Sequence, residues 1–289
     1  MFEKLVYDSL SELFLNNFGH NQFGVRPQSS TCTALITLHD FVTRMLDCND
    51  VTGVQILTYD FAEAFDKLSH TVILKRLCDL GFPKQFIVWL KSYLTNRKQR
   101  VRIGSVLSDF KDVTSGVPQG SVLGPALFSI VVAEYQPTTS YPCVIKYADD
   151  ITIAYPYFAI SCNTYILHEH NHFIRWSLDN KLVIKQGKCF SLFIPKSLHA
   201  VHIDIDSVNE LKIFGVTVTS SFKFNAHIQN TIAIASRSLY ALRIVKPFIS
   251  KVDCISVYFG IVRSHLQYCS PLFIGTSIEN QTSLSCSTA

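Results

Sequence analysis

Apolar residues recur at nearly helical spacing over residues 1–15, through Phe2, Leu5, Val6, Leu10, Leu13 and Phe14, and predict an opening helix. The stretch "GHNQFGVRPQSS" (19–30) breaks that period with Gly, Asn, Pro and Ser and predicts a turn-rich loop. Helical spacing returns over 31–47, through Ala34, Leu35, Leu38, Phe41 and Met45. "VQILTYDFAEAF" (54–65) starts as a buried strand and changes character at Asp60. "SHTVILKRLCDLG" then predicts a helix closing on Gly81 as its C′ residue, and 83–97 predicts another with Pro83 in its first turn.

Residues 99–116 alternate as a hairpin does. "GVPQGSVLGP" (116–125) is a Gly/Pro loop feeding an apolar helix, followed by a strand–turn–strand over 143–155 and a helix from about 161 to 182. A hairpin is predicted over 211–224 and a helical segment over 226–268, with a frayed Ser/Thr-rich tail from Gly275. One element resists the pattern. In "IKYADDITIAY" (145–155) two carboxylates, Asp149 and Asp150, interrupt a β-branched apolar run. Ionised carboxylates are costly to bury without a cationic partner.

Composition narrows the class. A 289-residue chain that is 48% hydrophobic is globular and long enough for one large domain or two to three subdomains. The net charge of +4, from 26 basic and 22 acidic residues, is too small to point to an anionic partner by itself. Nine cysteines without a CxxC pair indicate neither a disulfide framework nor a zinc site, and fit a reducing intracellular compartment. The longest apolar stretch, "PALFSIVVA" (125–133), is too short to span a bilayer, and "MFEKLVYDSL" lacks the apolar core of a signal peptide, so no membrane is expected as a partner.

Two predicted strands therefore end in acids, one at Asp60 and one at Asp149–Asp150. With Asp149 in the turn, a carboxylate of the pair can meet Asp60 from a neighbouring strand. Such a group repels itself unless hard cations neutralise it, and Mg²⁺ (or Mn²⁺ in its place) suits an all-oxygen set. Two such ions about 3.5–4 Å apart support in-line phosphoryl displacement. An Asp–Asp pair alone equally makes an ordinary β-turn.

Three motifs in order change the weighing: "YDFAEAFDKLSH" (59–70), "SGVPQGSVLGP" (115–125) and "YADD" (147–150). Together they resemble the palm motifs of reverse transcriptases, most closely the non-LTR (LINE or jockey-like) retrotransposon branch. The resemblance extends to "NQFGVRPQSST" (21–31), "RKQRVRIGSVLS" (97–108), "WSLDNKLVIKQGKC" (176–189) and "LKIFGVTVTSSFKFNAHI" (211–228). It implies an α+β right-hand polymerase: partial fingers over 1–50, and a palm over 51–210 with a finger-like insertion at about 82–112. A primer-grip-like hairpin over 211–225, a thumb-like helical segment over 226–275 and a tail over 276–289 would follow. The implied activity is RNA-directed DNA synthesis, with an RNA template, a DNA primer, dNTPs and two Mg²⁺ ions.

By the same resemblance Asp60, Asp149 and Asp150 are the metal ligands, and Lys188 is the general acid toward departing pyrophosphate. Phe65 is the ring that rejects a ribose 2′-OH, and Phe61, Gln119, Gly120 and Arg26 line the nucleotide site. Taken singly, Phe65 reads as core, Gln119 as part of a loop and Lys188 as solvated surface. The basic run Lys91, Arg97, Lys98, Arg100 and Arg102 either tracks phosphates or is a solvated hairpin.

Three departures from the family pattern stand beside these matches. An earlier fingers segment around an Arg-Pro-Ile stretch is not present, nor is an upstream endonuclease. "VVAEYQP" (131–137) replaces the usual continuation of the helix, and Pro137 should cut it short. They leave open a 5′-truncated, non-catalytic remnant that retains the fold, and a group II intron maturase is a further polymerase alternative.

Overall fold

A computed structural model describes residues 2–159, 164–185, 187–196 and 207–273. The expected frayed tail beyond Gly275, and Cys162 and Cys286, lie outside the described residues. Helices α1 (Phe2–Asn17) and α2 (Thr31–Asp47) precede strand β1 (Val51–Tyr59), and α3 (Ala64–Lys67), α4 (His70–Asp79) and α5 (Lys84–Leu94) follow it. Four short strands come next: β2 (Arg97–Gln99), β3 (Arg102–Ile103), β4 (Val106–Leu107) and β5 (Lys111–Val113). Helix α6 (Leu123–Ala133) leads to β6 (Cys143–Tyr147) and β7 (Asp150–Phe158), then α7 (Thr164–Asp179) and β8 (Phe190–Pro195). The chain continues through β9 (Glu210–Ile213), β10 (Val216–Thr219), α8 (Asn225–Val245), α9 (Lys251–Tyr258) and α10 (Ser264–Gln267).

A four-stranded sheet has the order β6-β7-β1-β8, so strands distant in sequence are neighbours in it. The chain divides into two compact units, Met1–Ser29 with Thr58–Ile153 and Cys162–Cys189, and Ser30–Leu57 with Ala154–Ser161 and Phe190–Ala289. The end of β1 that leads into Asp60, and the start of β7 at Asp150, both belong to the first unit.

The first unit is organised by α6, an almost uniformly apolar helix buried at every position but Pro125. A helix apolar all round is stable only inside a core, and α1, α3 and α4 pack against it. Aromatic rings extend that core: Phe61 and Phe65 meet Phe128, while Tyr135, Phe173 and Trp176 form a second cluster. Helix α6 ends at Ala133, four residues before Pro137.

The alternation over 99–116 resolves into nested pairs, β2 with β5 and β3 with β4, beginning at Arg97. The pairing sets Lys98 opposite Asp112, 3.7 Å apart, a neutralising partner not evident in the basic run itself.

In the second unit α2 starts with a reciprocal cap, Ser30 accepting from the Thr33 amide and Thr33 accepting from the Ser30 amide. The helical pattern over 226–268 is not one run. Pro247 has no amide hydrogen and sits in a 3₁₀ turn after α8, and Ser250 caps the next helix by accepting from the Asp253 amide. Strand β8 was not foreseen: "FSLFIP" is a short apolar run without a helical or alternating signature. Its Ser191 hydroxyl accepts from Gln55 Nε2 at 2.6 Å, and Gln55 Oε1 accepts from Tyr157 at 2.6 Å, so these three buried polar side chains of the sheet satisfy one another.

Candidate active site

Asp60 follows directly on β1, and its backbone is fixed from outside that strand. Lys185 N–H donates to the Asp60 carbonyl at 2.8 Å, Ala62 N–H donates to the Val183 carbonyl at 2.7 Å, and Phe61 bridges to Ile184. This pairing carries Lys188 to the carboxylate: its Nζ lies 3.1 Å from Asp60 Oδ2. The acid closing one predicted strand and the lysine 128 positions later in sequence thus form an ion pair. The bond to Asp60, then its charge, raises the Lys188 pKa above the ordinary lysine range.

Asp149 sits in the turn between β6 and β7, as the sequence predicts, and Asp150 opens β7. The preceding Ala148 is left-handed, with φ +52°, a conformation a residue with a Cβ adopts only when its surroundings hold it there. Asp150 is exposed as a residue, yet protein around its carboxyl withholds part of its hydration. That loss, followed by the negative charges of Asp149 and Asp60, raises the Asp150 pKa, with Lys188 opposing. Asp60, Asp149, Asp150 and Lys188 are therefore one electrostatic group within one unit.

Among the described residues, no three His, Cys, Asp or Glu side chains are already gathered to hold a metal ion. The chemistry of the donor set nevertheless fits a hard divalent cation. Its three carboxylates repel one another, and among the described residues the cation acting on Asp150 is Lys188, an ammonium more than half exposed on its own side chain.

The raised pKa of Asp150 has a consequence for stability. A carboxyl with a folded pKa above its unfolded value supports folding below the ordinary Asp range, and that support is lost as pH rises through the folded value. At pH 7 the ionised Asp150 opposes folding. Asp150→Asn should raise the melting temperature of the metal-free protein, by only about 1–2 °C because the residue is exposed. The gain should vanish near about pH 3, where both side chains are neutral; thermal denaturation at the two pH values checks this.

The Gly/Pro loop is bound to the segment following Asp60. Gly116 and Val117 donate to the carbonyls of Leu68 and Phe65, at 2.8 and 2.9 Å. His70 Nε2 lies 2.7 Å from the Gly116 carbonyl, and Gln119 Nε2 donates to both Asp66 carboxylate oxygens, at 3.0 and 2.9 Å. Gly116 has φ +83°, and a Cβ there would collide with the Asp66 carbonyl, so two motifs are joined where only glycine fits. Beside Gly120, by contrast, a Cβ would meet nothing.

The other expected site residues are distributed unevenly. Phe65 is half-buried with its ring 5.0 Å from that of Phe128, while the Phe61 ring is buried against Phe128 and Phe173. Arg26 spends one guanidinium nitrogen on the Gly19 carbonyl, 2.8 Å away, bracing its own loop. Arg100 stacks over Phe110 and Arg97 over Tyr93, and Arg102 Nε donates to Gly104, all on the 97–113 hairpin or beside it.

Two participants were missed in the sequence. Lys146, three positions before Asp149, is fully buried and donates to the carbonyls of Val132 and Tyr135 at 3.0 and 2.9 Å. Gln22 is buried against the turn at Ala148. A lysine inside "VIKY" was the available signal for the first; "NQFG" offered none specific enough for the second.

The reverse transcriptase (RNA-dependent DNA polymerase) family matches residues 1–218, and the chain belongs to that family. Among curated relatives, the RNA-directed DNA polymerase from the mobile element jockey of Drosophila funebris is 29% identical over 244 residues, covering 79% of this chain and 26% of the relative. The probable RNA-directed DNA polymerase from transposon BS of Drosophila melanogaster is 26% identical over 263 residues, covering 84% of this chain and 28% of the relative. The chain thus spans only about a quarter of the length of these relatives. Among solved structures, a Candida tropicalis telomerase in complex with a TWJ fragment of telomeric RNA aligns with a TM-score of 0.55 at 13% identity, covering 96% of this chain and 46% of that one. An apo form truncated from the C-terminal domain gives 0.54 at 14% identity, covering 77% and 44%. The α+β polymerase fold expected from the sequence is therefore the observed one.

Proposed function

We propose that this chain carries the polymerising core of an RNA-directed DNA polymerase, extending a primer 3′-OH with dNTPs on an RNA template. The observation that carries the reading is the electrostatic grouping of Asp60, Asp149, Asp150 and Lys188 at strand ends, inside the segment the family covers. Asp60, Asp149 and Asp150 would hold two Mg²⁺ ions, which supply activation of the hydroxyl nucleophile and charge neutralisation at the leaving oxygen. Lys188 is protonated at neutral pH as any exposed lysine is, the pairing with Asp60 holds that ammonium beside the acids, and it can present its proton to a departing pyrophosphate.

Phe65 provides a wall under the sugar, and Gln119 and Gly120 border the base and template. Arg26 would have to leave the Gly19 carbonyl to reach a phosphate. The exposed basic residues Lys98, Arg100 and Arg102, with the half-buried Arg97, track the nucleic-acid backbone, with affinity that falls as salt rises. In this reading residues 1–50 contribute fingers, 51–210 the palm, 211–225 a primer grip and 226–275 a thumb. No helix of the described residues is long and apolar enough to cross a membrane, and the scattered cysteines fit an intracellular setting.

The test is primer extension with the purified chain, a DNA primer on an RNA template and dNTPs. Extension should require Mg²⁺ and stop on chelation. Primer–template binding without any extension would establish the non-catalytic remnant instead.

A further inference from the structure

The "NQFG" segment and the "YADD" turn, more than a hundred positions apart in sequence, are built together. Lys146 N–H donates to the Asn21 carbonyl and Phe23 N–H donates to the Lys146 carbonyl, both at 2.8 Å, with a parallel bridge between Gln22 and Lys146. The loop thus lines the last part of β6, immediately before the turn. Gln22 is only 1% exposed, and its Oε1 accepts from two amides, Gly24 at 2.9 Å and Ala148 at 3.3 Å. Two donors converging on one atom fix the orientation of the amide, because turning it over would set NH₂ against both N–H groups. The backbone of Gly24 lies so close that a Cβ there would come within 2.5 Å of the Ala148 nitrogen.

Ala148 is the left-handed residue directly before Asp149. Its conformation sets the direction in which the chain enters the two aspartates, and its amide is the group that Gln22 grips. Gln22 Nε2 has no acceptor among the described residues, so the side chain carries the cost of an unpaired buried donor. Gln22 thus satisfies two backbone amides of the loop and the turn while one of its own donors stays unpaired. We infer that Gln22 is a positioning residue for the polymerase reaction, which clamps the Ala148 amide through Oε1 and thereby sets the placement of Asp149 and Asp150. Gly24 serves the same clamp by letting the loop backbone lie against that amide. This inference rests on the polymerase reading of the two aspartates.

The experiment compares the full chain with Gln22→Met, which keeps length and loses the acceptor, and Gln22→Glu, which keeps the acceptor. Amide hydrogen exchange of the metal-free protein reads the clamp without any activity. Exchange at Ala148 should quicken by about 10-fold in Gln22→Met, as expected for one lost hydrogen bond, and stay near wild type in Gln22→Glu. In primer extension, Gln22→Met should lower the maximal rate about 10-fold and raise the Mg²⁺ concentration for half-maximal rate, while primer–template affinity holds. Gln22→Glu should recover most of the rate.

Unchanged exchange at Ala148 in Gln22→Met would overturn the inference. So would a loss of extension fully matched by a loss of primer–template binding. If Gln22→Met does not fold, the clamp is decided by Gly24→Ala, which should also quicken exchange at Ala148. If the wild-type chain extends no primer, the polymerase reading falls, and exchange at Ala148 still decides whether Gln22 holds the turn.

Discussion

Asp149→Asn is expected to reduce primer extension by at least about 10³-fold, equivalent to about 4 kcal/mol of transition-state stabilisation, while primer–template still binds. The substitution is nearly isosteric and lies in a half-buried turn, so little packing is lost. What it removes is a formal charge from the group proposed to hold the cations. Asp60→Asn should cost as much by the same argument, with an added signature. Lys188 would lose the partner 3.1 Å away that raises its pKa, so the ammonium would fall back toward the ordinary lysine range. Lys188→Ala should do less harm than either, on the order of 10²-fold, the lower end of what a positioned proton donor contributes, because water can replace part of its role. Steady-state extension rates measured beside primer–template affinity separate these cases. Equal losses in binding and extension for Asp149→Asn would mean that the acid serves the fold rather than the chemistry.

Stability is expected to increase as pH rises from about 7 to about 9, and Lys146 is the reason. Burial, followed by the charge of Arg76, lowers its pKa to about 7. Between that value and the unfolded lysine range the unfolded chain binds more protons than the folded one, so stability grows with pH across the interval. Each pH unit is worth at most about 1.4 kcal/mol, which puts the gain over two units on the order of 2 kcal/mol. The neutral amine retains two N–H groups for the Val132 and Tyr135 carbonyls, so deprotonation removes the buried charge without orphaning either acceptor. Arg76, itself 3.7 Å from Glu134, is the cation acting on this amine. Urea unfolding across this pH range should show the slope in wild type and lose it in Lys146→Met. That variant should also be less stable at pH 9, because Met cannot donate to the two carbonyls at the end of α6. An equal slope in both proteins would assign the effect to other groups.

The sequence disclosed the acids more readily than what surrounds them. Asp60 stood out because it ends an apolar strand pattern, and Asp149 because two carboxylates interrupt another; both signals are local. The Asp60–Lys188 pair was not legible from either residue, since it depends on 183–185 pairing with 60–62, a contact that periodicity does not encode. Lys146 looked like an ordinary lysine in a strand, and only the end of α6 explains why it is buried. The thumb-like pattern ran on through Pro247 in hydrophobic spacing, although the missing amide hydrogen required the break that the structure shows. Strand β8 was hidden for the opposite reason: a strand buried at its four central positions has no alternation to reveal it.

The most direct measurement is single-nucleotide extension of a DNA primer on an RNA template by the purified chain with Mg²⁺, wild type beside Asp149→Asn, with primer–template binding read from the same samples. The account predicts addition of the complementary dNTP by wild type, binding by both proteins, and no detectable addition by Asp149→Asn. Extension by Asp149→Asn at the wild-type rate, or binding by a folded wild-type chain that adds no nucleotide, would contradict it.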